Sequence, residues 1–324
     1  MPAKIEISHK TIIFTVLFLI LLWVLVQIRE IIFLVFVSFI LMSAFKPIAD
    51  YSEKIHLPRI LSVLVVYILI LAFLAFAGST ILPPLVSQTI HLGEGMPDYI
   101  KSVLPFVKID AQAVTAQIAP LGQNLLQVTI GIFTNLITLF TVIVISFYLL
   151  IERKDLNSQL SNFIGAEGAK KLMVVIAKVE ERLGAWVRGQ LMLALTIGLA
   201  TYIGLIFLNL PYILALSLFA GILEIVPIIG PIISAIPAIL IALTVSPFLA
   251  ILTVAVYFII QQLESQIVVP IVMKKAVGLP PLVTIIALMI GAKLGGIGGA
   301  LLAVPLVVTI GTAVSEYPKL KESH

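Results

Sequence analysis

Between Pro211 and Val245 an almost wholly apolar stretch carries one carboxylate, Glu224, and then Pro227, Gly230, Pro231 and Pro237. A proline lacks the backbone N–H and clashes with the preceding turn, so three of them this close cannot sit in one straight helix. In hydrocarbon, backbone groups freed in this way find no water to bond. Broken backbone at membrane depth therefore persists only inside protein or beside a water-filled cavity. The break marks a pathway or a site.

A second broken stretch runs from Pro280 to Thr312, with Lys293 just ahead of the run GGIGGALLAVP that starts at Gly295. Laid over the first, Gly230 falls on Gly298, Ala235 on Ala303 and Pro237 on Pro305, each pair 68 residues apart. Paired segments interrupted by glycine and proline are the sequence mark of a transporter site built from repeats.

The rest of the chain fits that reading. Of 324 residues, 61% are hydrophobic and only 11% charged, and the apolar runs are long enough to cross a bilayer of about 30 Å. The expected fold is an all-α polytopic membrane protein with about eight hydrophobic segments, the two broken ones forming helical hairpins related as an inverted repeat. The alternating strands of a membrane barrel are absent. There is no cysteine, which excludes disulfides, thiol catalysis and Cys-based metal sites.

Taken in order, Thr11 to Ile28 reads as an uncleaved first span. Only the polar pinch of Gln27, Arg29 and Glu30 separates it from a second span, Ile31 to Phe45, which suggests a tight hairpin. Ile60 to Leu82 is a third span that Pro83 and Pro84 are expected to stop. Residues 83–128 read as an outer loop with short interfacial helices. A fourth span, Thr129 to Ile151, closes an N-terminal unit of residues 1–151.

Residues 152–189 form a polar linker. Leu172, Val175, Ile176, Val179, Leu183, Trp186 and Val187 recur there at helical spacing, the pattern of an amphipathic cytoplasmic helix packed on its own protein or on a neighbouring subunit. Residues 190–324 are the expected transport core: a fifth span from Leu191 to Leu208, the broken stretches 211–245 and 280–312, and between them a helix from Phe248 to Met273 that QQLESQ and Pro270 interrupt.

Each broken stretch could cross the membrane once or enter and leave on one side. The hairpin arrangement puts all basic residues except Arg29, Lys101, Lys108 and Lys293 on the cytoplasmic side, whereas single crossings move Lys274 and Lys275 outside. The positive-inside rule favours hairpins, with both termini cytoplasmic. Two hairpins entering from opposite sides would bring their broken tips together. Half-helix ends there can hold a polar solute or an ion.

The candidate pathway residues follow. Glu224 is an ionisable group in an apolar run, costly by at least about 2.5 kcal/mol on insertion scales, and reads as a proton or cation site or as a carboxylate at the membrane surface. Lys293 reads as an attractor for a solute, as a partner for Glu224 or as a snorkelling lysine. Gln261, Glu264 and Ser265 share one helical face with Gln262 beside it, offering polar contacts to a hydroxylated solute or acting as an interhelical clamp. Gly230, Gly295, Gly296 and Gly298 permit close approach, and Pro227, Pro231, Pro237 and Pro305 shape the pathway.

No HExxH, GxSxG or GxxxxGK[ST] pattern occurs. The expectation is a non-enzyme without cofactor or metal, acting on a small polar solute with H+ or Na+ as coupling ion. Nucleic acid is not an expected partner.

The runs EIVPIIGPIISAIPAILIAL, QQLESQIVVPIVMKKAVGLPPLV and GGIGGALLAVPL resemble the C-terminal half of the autoinducer-2 exporter family, and the N-terminal half is similar in pattern. The resemblance implies a secondary transporter of the bacterial inner membrane that exports an autoinducer-2-like signal in quorum sensing, or a sodium or lithium/proton antiporter. It also implies interlinked hairpins in inverted repeat and a homo-oligomer, specifically a pentamer. Outside the transporter class, the alternative is a membrane scaffold that recruits a partner through its linker helix.

Overall fold

The computed structural model describes residues 9–103, 136–276 and 279–322, with Gln127 and Gly131. Most of the expected outer loop lies outside the described residues. Among those described, every regular element is a helix: α1 (His9–Gln27), α2 (Arg29–Lys54), α3 (Arg59–Val103), α4 (Leu136–Glu152), α5 (Leu156–Phe207), α6 (Ile213–Leu223), α7 (Ile229–Val245), α8 (Pro247–Leu263), a π-helical turn (Glu264–Val268), α9 (Val269–Ala276) and α10 (Pro281–Glu322). Six described helical stretches are long and apolar enough to cross a membrane. The chain is an all-α polytopic membrane protein.

Two N-terminal expectations need correction. The pinch at Arg29 is not a tight hairpin: Ile28 N–H bonds Val24 O at 2.9 Å and Ile32 N–H bonds Ile28 O at 3.0 Å, so helical bonding runs through it with a bend at Ile28. Gln27, Arg29 and Glu30 are all compatible with a helix, and no glycine or proline is present to turn the chain. Nor do Pro83 and Pro84 stop the third helix, which continues to Val103. Each proline removes one N–H from the ladder, and the neighbouring turns carry the helix across that loss.

Lipid offers no hydrophobic drive for one helix to bury against another, so close packing through small residues takes its place. Helix α5 is the rail on which the core is built. It kinks at Gly165, whose φ of 77° suits glycine, and then runs to Phe207 without a break, so the amphipathic linker and the fifth span are one rod. Its far half lies against α6. A Cβ on Gly221 would stand 2.8 Å from the carbonyl of Ala194, and one on Gly198 would stand 3.3 Å from that of Ser217. Its near half buries Val179, Leu183 and Trp186 against Ile40 of α2 and Leu302, Val304 and Val308 of α10.

That near end gathers charge. Glu180, buried on α5, takes Lys46 of α2 at 2.7 Å and Arg153 from the turn after α4, while Lys154 meets Glu53 at 2.8 Å. One buried carboxylate thus ties three elements, and the neighbouring cations compensate the cost of its burial.

Both broken stretches are hairpins. Helices α6 and α7 are the arms of the first, turning through residues 224–228. The second is α10 itself, which breaks at Gly295 and Gly296, the latter at φ 59° and ψ −141°, a conformation that suits glycine. Its arms return so closely that a Cβ on Gly291 or on Gly299 would collide with the other's carbonyl. The first hairpin repeats the device, since a Cβ on Gly230 would collide with the carbonyl of Leu223.

The hairpins approach from opposite ends of α5. The first lies along its far half, from Ala194 to Leu205, and the second along its near half, from Val179 to Trp186. They meet where Val226, in the first tip, packs on Leu288, Ala300 and Ala303 of the second.

Candidate functional site

The first tip ends α6 at Glu224, turns through Ile225–Val226–Pro227 and restarts as α7 at Ile229. Pro227 has no N–H to extend α6. Ile228 then reverses the chain at φ 69° and ψ −47°, a region that costs a β-branched residue about 1–3 kcal/mol. Gly230 lets the returning backbone press on Leu223, and the buried rings of Pro231 and Pro237 line the return arm. The result is a tip with its carboxylate turned inward: Glu224 is 1% exposed.

Across from it stands Glu264, 5% exposed, the first residue of the π-helical turn. A π-helical turn widens the helix by one residue and often marks a functional position. Pro270, which has no N–H to donate, follows in α9. The carboxyl groups of Glu224 and Glu264 lie within hydrogen-bonding reach of each other. Gln261, one turn earlier, donates from Nε2 to Oε2 of Glu264 at 3.2 Å. Two carboxylates this close repel unless a proton or a cation lies between them.

A fourth side chain completes the arrangement. Gln190 of α5, 3% exposed, donates from Nε2 to the backbone carbonyl of Glu224, fastening the tip to the rail. Among the described residues, neither Oε1 of Gln190 nor Oε2 of Glu224 has a hydrogen-bond partner, although both are buried.

Of the residues expected along the pathway, Glu224, Gln261 and Glu264 come together at this point, and Pro227, Gly230, Pro231 and Pro237 shape it. Gln262 and Ser265 are exposed and face away. The π-helical turn changes the register, so Ser265 does not share the buried face that regular spacing assigns it. Lys293, Gly295 and Gly296 form the exposed tip of the second hairpin, and among the described residues Lys293 pairs with no carboxylate. Gly298 packs on the Phe33 ring, where its Cβ would stand 3.1 Å away, and Pro305 is buried in the return arm.

Residues 12–319 match the family described as AI-2E family transporter. The chain belongs to this family. The chain is 31% identical to YueF of Bacillus subtilis, named as a candidate transport protein, over 88% of this chain and 84% of that one. It is 26% identical to the Escherichia coli K12 protein PerM, named as a candidate permease, over 79% and 78% of the two chains. With a sodium-lithium/proton antiporter of Halobacillus andaensis it shares 24% identity over 80% and 82%.

Two residues of the chain, Gln190 and Glu180, do not stand out in its sequence. Gln190 ends the amphipathic stripe and looks like any polar residue at a span boundary. Glu180 lies in a segment rich in charge. A signal for Glu180 exists: it falls one position from Val179 and three from Leu183, on the edge of the apolar stripe rather than opposite it.

Proposed function

We propose that this membrane transporter is an ion-coupled secondary exchanger in which Glu224 and Glu264 alternately hold a proton and a small monovalent cation, sodium or lithium. The observation that supports this reading is the meeting of two buried carboxyl groups, Glu224 and Glu264, at the tip of the first hairpin. A proton shared between them relieves their repulsion, and so does a cation. Two occupants that relieve the same repulsion compete for one place, and competition is the requirement for exchange. The similarity to an antiporter of sodium, lithium and protons agrees with it. The break after α6 and the π-helical turn after α8 put both carboxylates at ends of helical segments, where the chain can hinge without unwinding a span.

A second reading, export of a small polar metabolite of autoinducer-2 type driven by the same ion, draws on the amides of Gln190 and Gln261 beside the carboxylates. Those amides offer hydrogen bonds to hydroxyl groups that an apolar tunnel lacks.

We further propose that the end carrying Lys46, Arg153, Lys154, Lys170, Lys171, Lys178 and Arg182 faces the cytoplasm, as the positive-inside rule requires, and that the membrane is the bacterial inner membrane. The first hairpin then opens outward and the second inward. In this cysteine-free chain, Ser246→Cys is expected to react with an impermeant maleimide from outside and Ser315→Cys only after permeabilisation. Reversed labelling would overturn the orientation.

The functional test is made in proteoliposomes holding a pH gradient. Addition of sodium or lithium is expected to discharge the gradient through the wild type and not through Glu224→Gln. Discharge by autoinducer-2 without either cation would favour the second reading. Equal discharge by wild type and Glu224→Gln would refute the exchange site.

A further inference from the structure

We infer that Gln190 is itself a cation ligand, so that the ion is held between the first hairpin and the fixed rail α5, and that the site selects a small dehydrated monovalent cation. This inference rests on the exchange reading and adds to it a ligand and a location.

A backbone carbonyl only accepts hydrogen bonds, so the end of the Gln190 amide that faces the Glu224 carbonyl must be Nε2. The orientation of the amide is therefore fixed by chemistry, and Oε1 is left as its free acceptor. That oxygen is buried with no donor among the described residues. On the residue it fastens, Oε2 of Glu224 is likewise buried with no donor, and the Glu264 carboxyl stands within reach of the Glu224 carboxyl. Two residues joined by one contact, on α5 and on the first tip, thus each carry a buried oxygen acceptor with no donor among the described residues.

Buried acceptors left without donors keep the full penalty of their lost hydration. A single proton between Glu224 and Glu264 satisfies those two and leaves the Gln190 oxygen unpaired. A cation does more, because it takes several oxygen ligands at once. A neutral amide oxygen, added as a ligand to two carboxylates, also limits the negative charge of the site. That charge suits one monovalent ion together with the release of a proton. Placement on α5 has a mechanical consequence: the ion bridges a hairpin tip to the helix that anchors the rest of the fold, so occupancy and tip position are linked.

Purified full-length protein in detergent is tested by thermal unfolding against sodium, lithium and potassium chloride at constant ionic strength, with size exclusion to confirm folding. Two variants separate the roles of the amide. Gln190→Leu removes oxygen and donor, while Gln190→Glu keeps an oxygen and loses the donor. If Gln190 is a ligand, Gln190→Leu weakens the apparent sodium and lithium affinity at least tenfold, and Gln190→Glu retains it within about threefold. Potassium stabilises the wild type less than sodium or lithium.

Equal losses in both variants would show that the amide only latches the tip. Unchanged affinity in Gln190→Leu would remove it from the site, and either result would overturn the inference while leaving exchange through Glu224 and Glu264 standing. No cation-dependent stabilisation of the wild type would overturn both. If Gln190→Leu does not fold, Gln190→Met, unbranched and of similar length, makes the same comparison.

Discussion

The two hairpins are built by the same rule and carry opposite contents. Each folds back so tightly that one glycine behind the tip touches the opposing arm's backbone, Gly230 against Leu223 in the first and Gly299 against Gly291 in the second. These contacts agree to within one residue with the 68-residue offset between the two stretches of sequence. The tips diverge. The first holds a buried carboxylate, a strained isoleucine and an amide fastening to α5; the second holds two exposed glycines and an exposed lysine. Hairpin geometry alone does not make a site. What distinguishes the first tip is where it ends, against a second buried carboxylate.

The largest expected contrast is therefore between charges. Glu224→Gln lowers cation/proton exchange in proteoliposomes by at least about 100-fold, equivalent to about 2.7 kcal/mol of barrier. Lys293→Met changes the same rate by no more than about twofold, the level expected of an exposed group outside the ion's path. A large loss in Lys293→Met would make the two tips equal partners and break the contrast.

Next come the glycines, where the two hairpins should behave alike. Gly230→Ala and Gly299→Ala each drive a Cβ into a backbone carbonyl and are expected to cost about 1–3 kcal/mol, the range for overpacking. A substitution at Gly295, where a Cβ meets nothing within 4 Å, should stay within about 0.5 kcal/mol. Thermal unfolding in one detergent compares all three.

The last contrast concerns strain. Ile228→Gly releases an unfavourable positive φ and should raise stability by about 1 kcal/mol or less, because the glycine also gains freedom in the unfolded chain. Gly296→Ala, placing a side chain at φ 59° and ψ −141°, should lower stability by about 1–3 kcal/mol. Opposite signs at the two tips would establish that strain is confined to the one that carries the carboxylate.

Much of this arrangement is legible in the sequence. Proline and glycine in an apolar run have few alternatives to a hairpin once hydrocarbon forbids loose backbone, and Glu224 stands out there because hydrocarbon makes charge expensive. Gln261 and Glu264 are three apart on one helix and so identify each other. What cannot be read depends on distance along the chain. Nothing near Glu224 names Glu264 or Gln190 as its neighbours, because those contacts exist only after α5, α6 and α8 pack. Spacing misplaces Ser265 for a local reason, since a π-helical turn breaks the period on which face assignments rest. At the other end of the chain, Pro83 and Pro84 look like a stop although α3 passes through them, and the pinch at Arg29 looks like a turn although its residues all tolerate a helix. Breaker residues bias the backbone, and packing decides whether the bias prevails.

Whether Glu224 and Glu264 act as one unit is decided most directly by a double-mutant cycle. Sodium-driven proton movement is measured in proteoliposomes of the wild type, Glu224→Gln, Glu264→Gln and the double variant, at matched protein density. Each single variant is predicted to lose as much activity as the double, because either carboxylate alone leaves no competition between proton and cation. Losses that add independently, or a Glu264→Gln variant that exchanges like the wild type, would contradict a shared site.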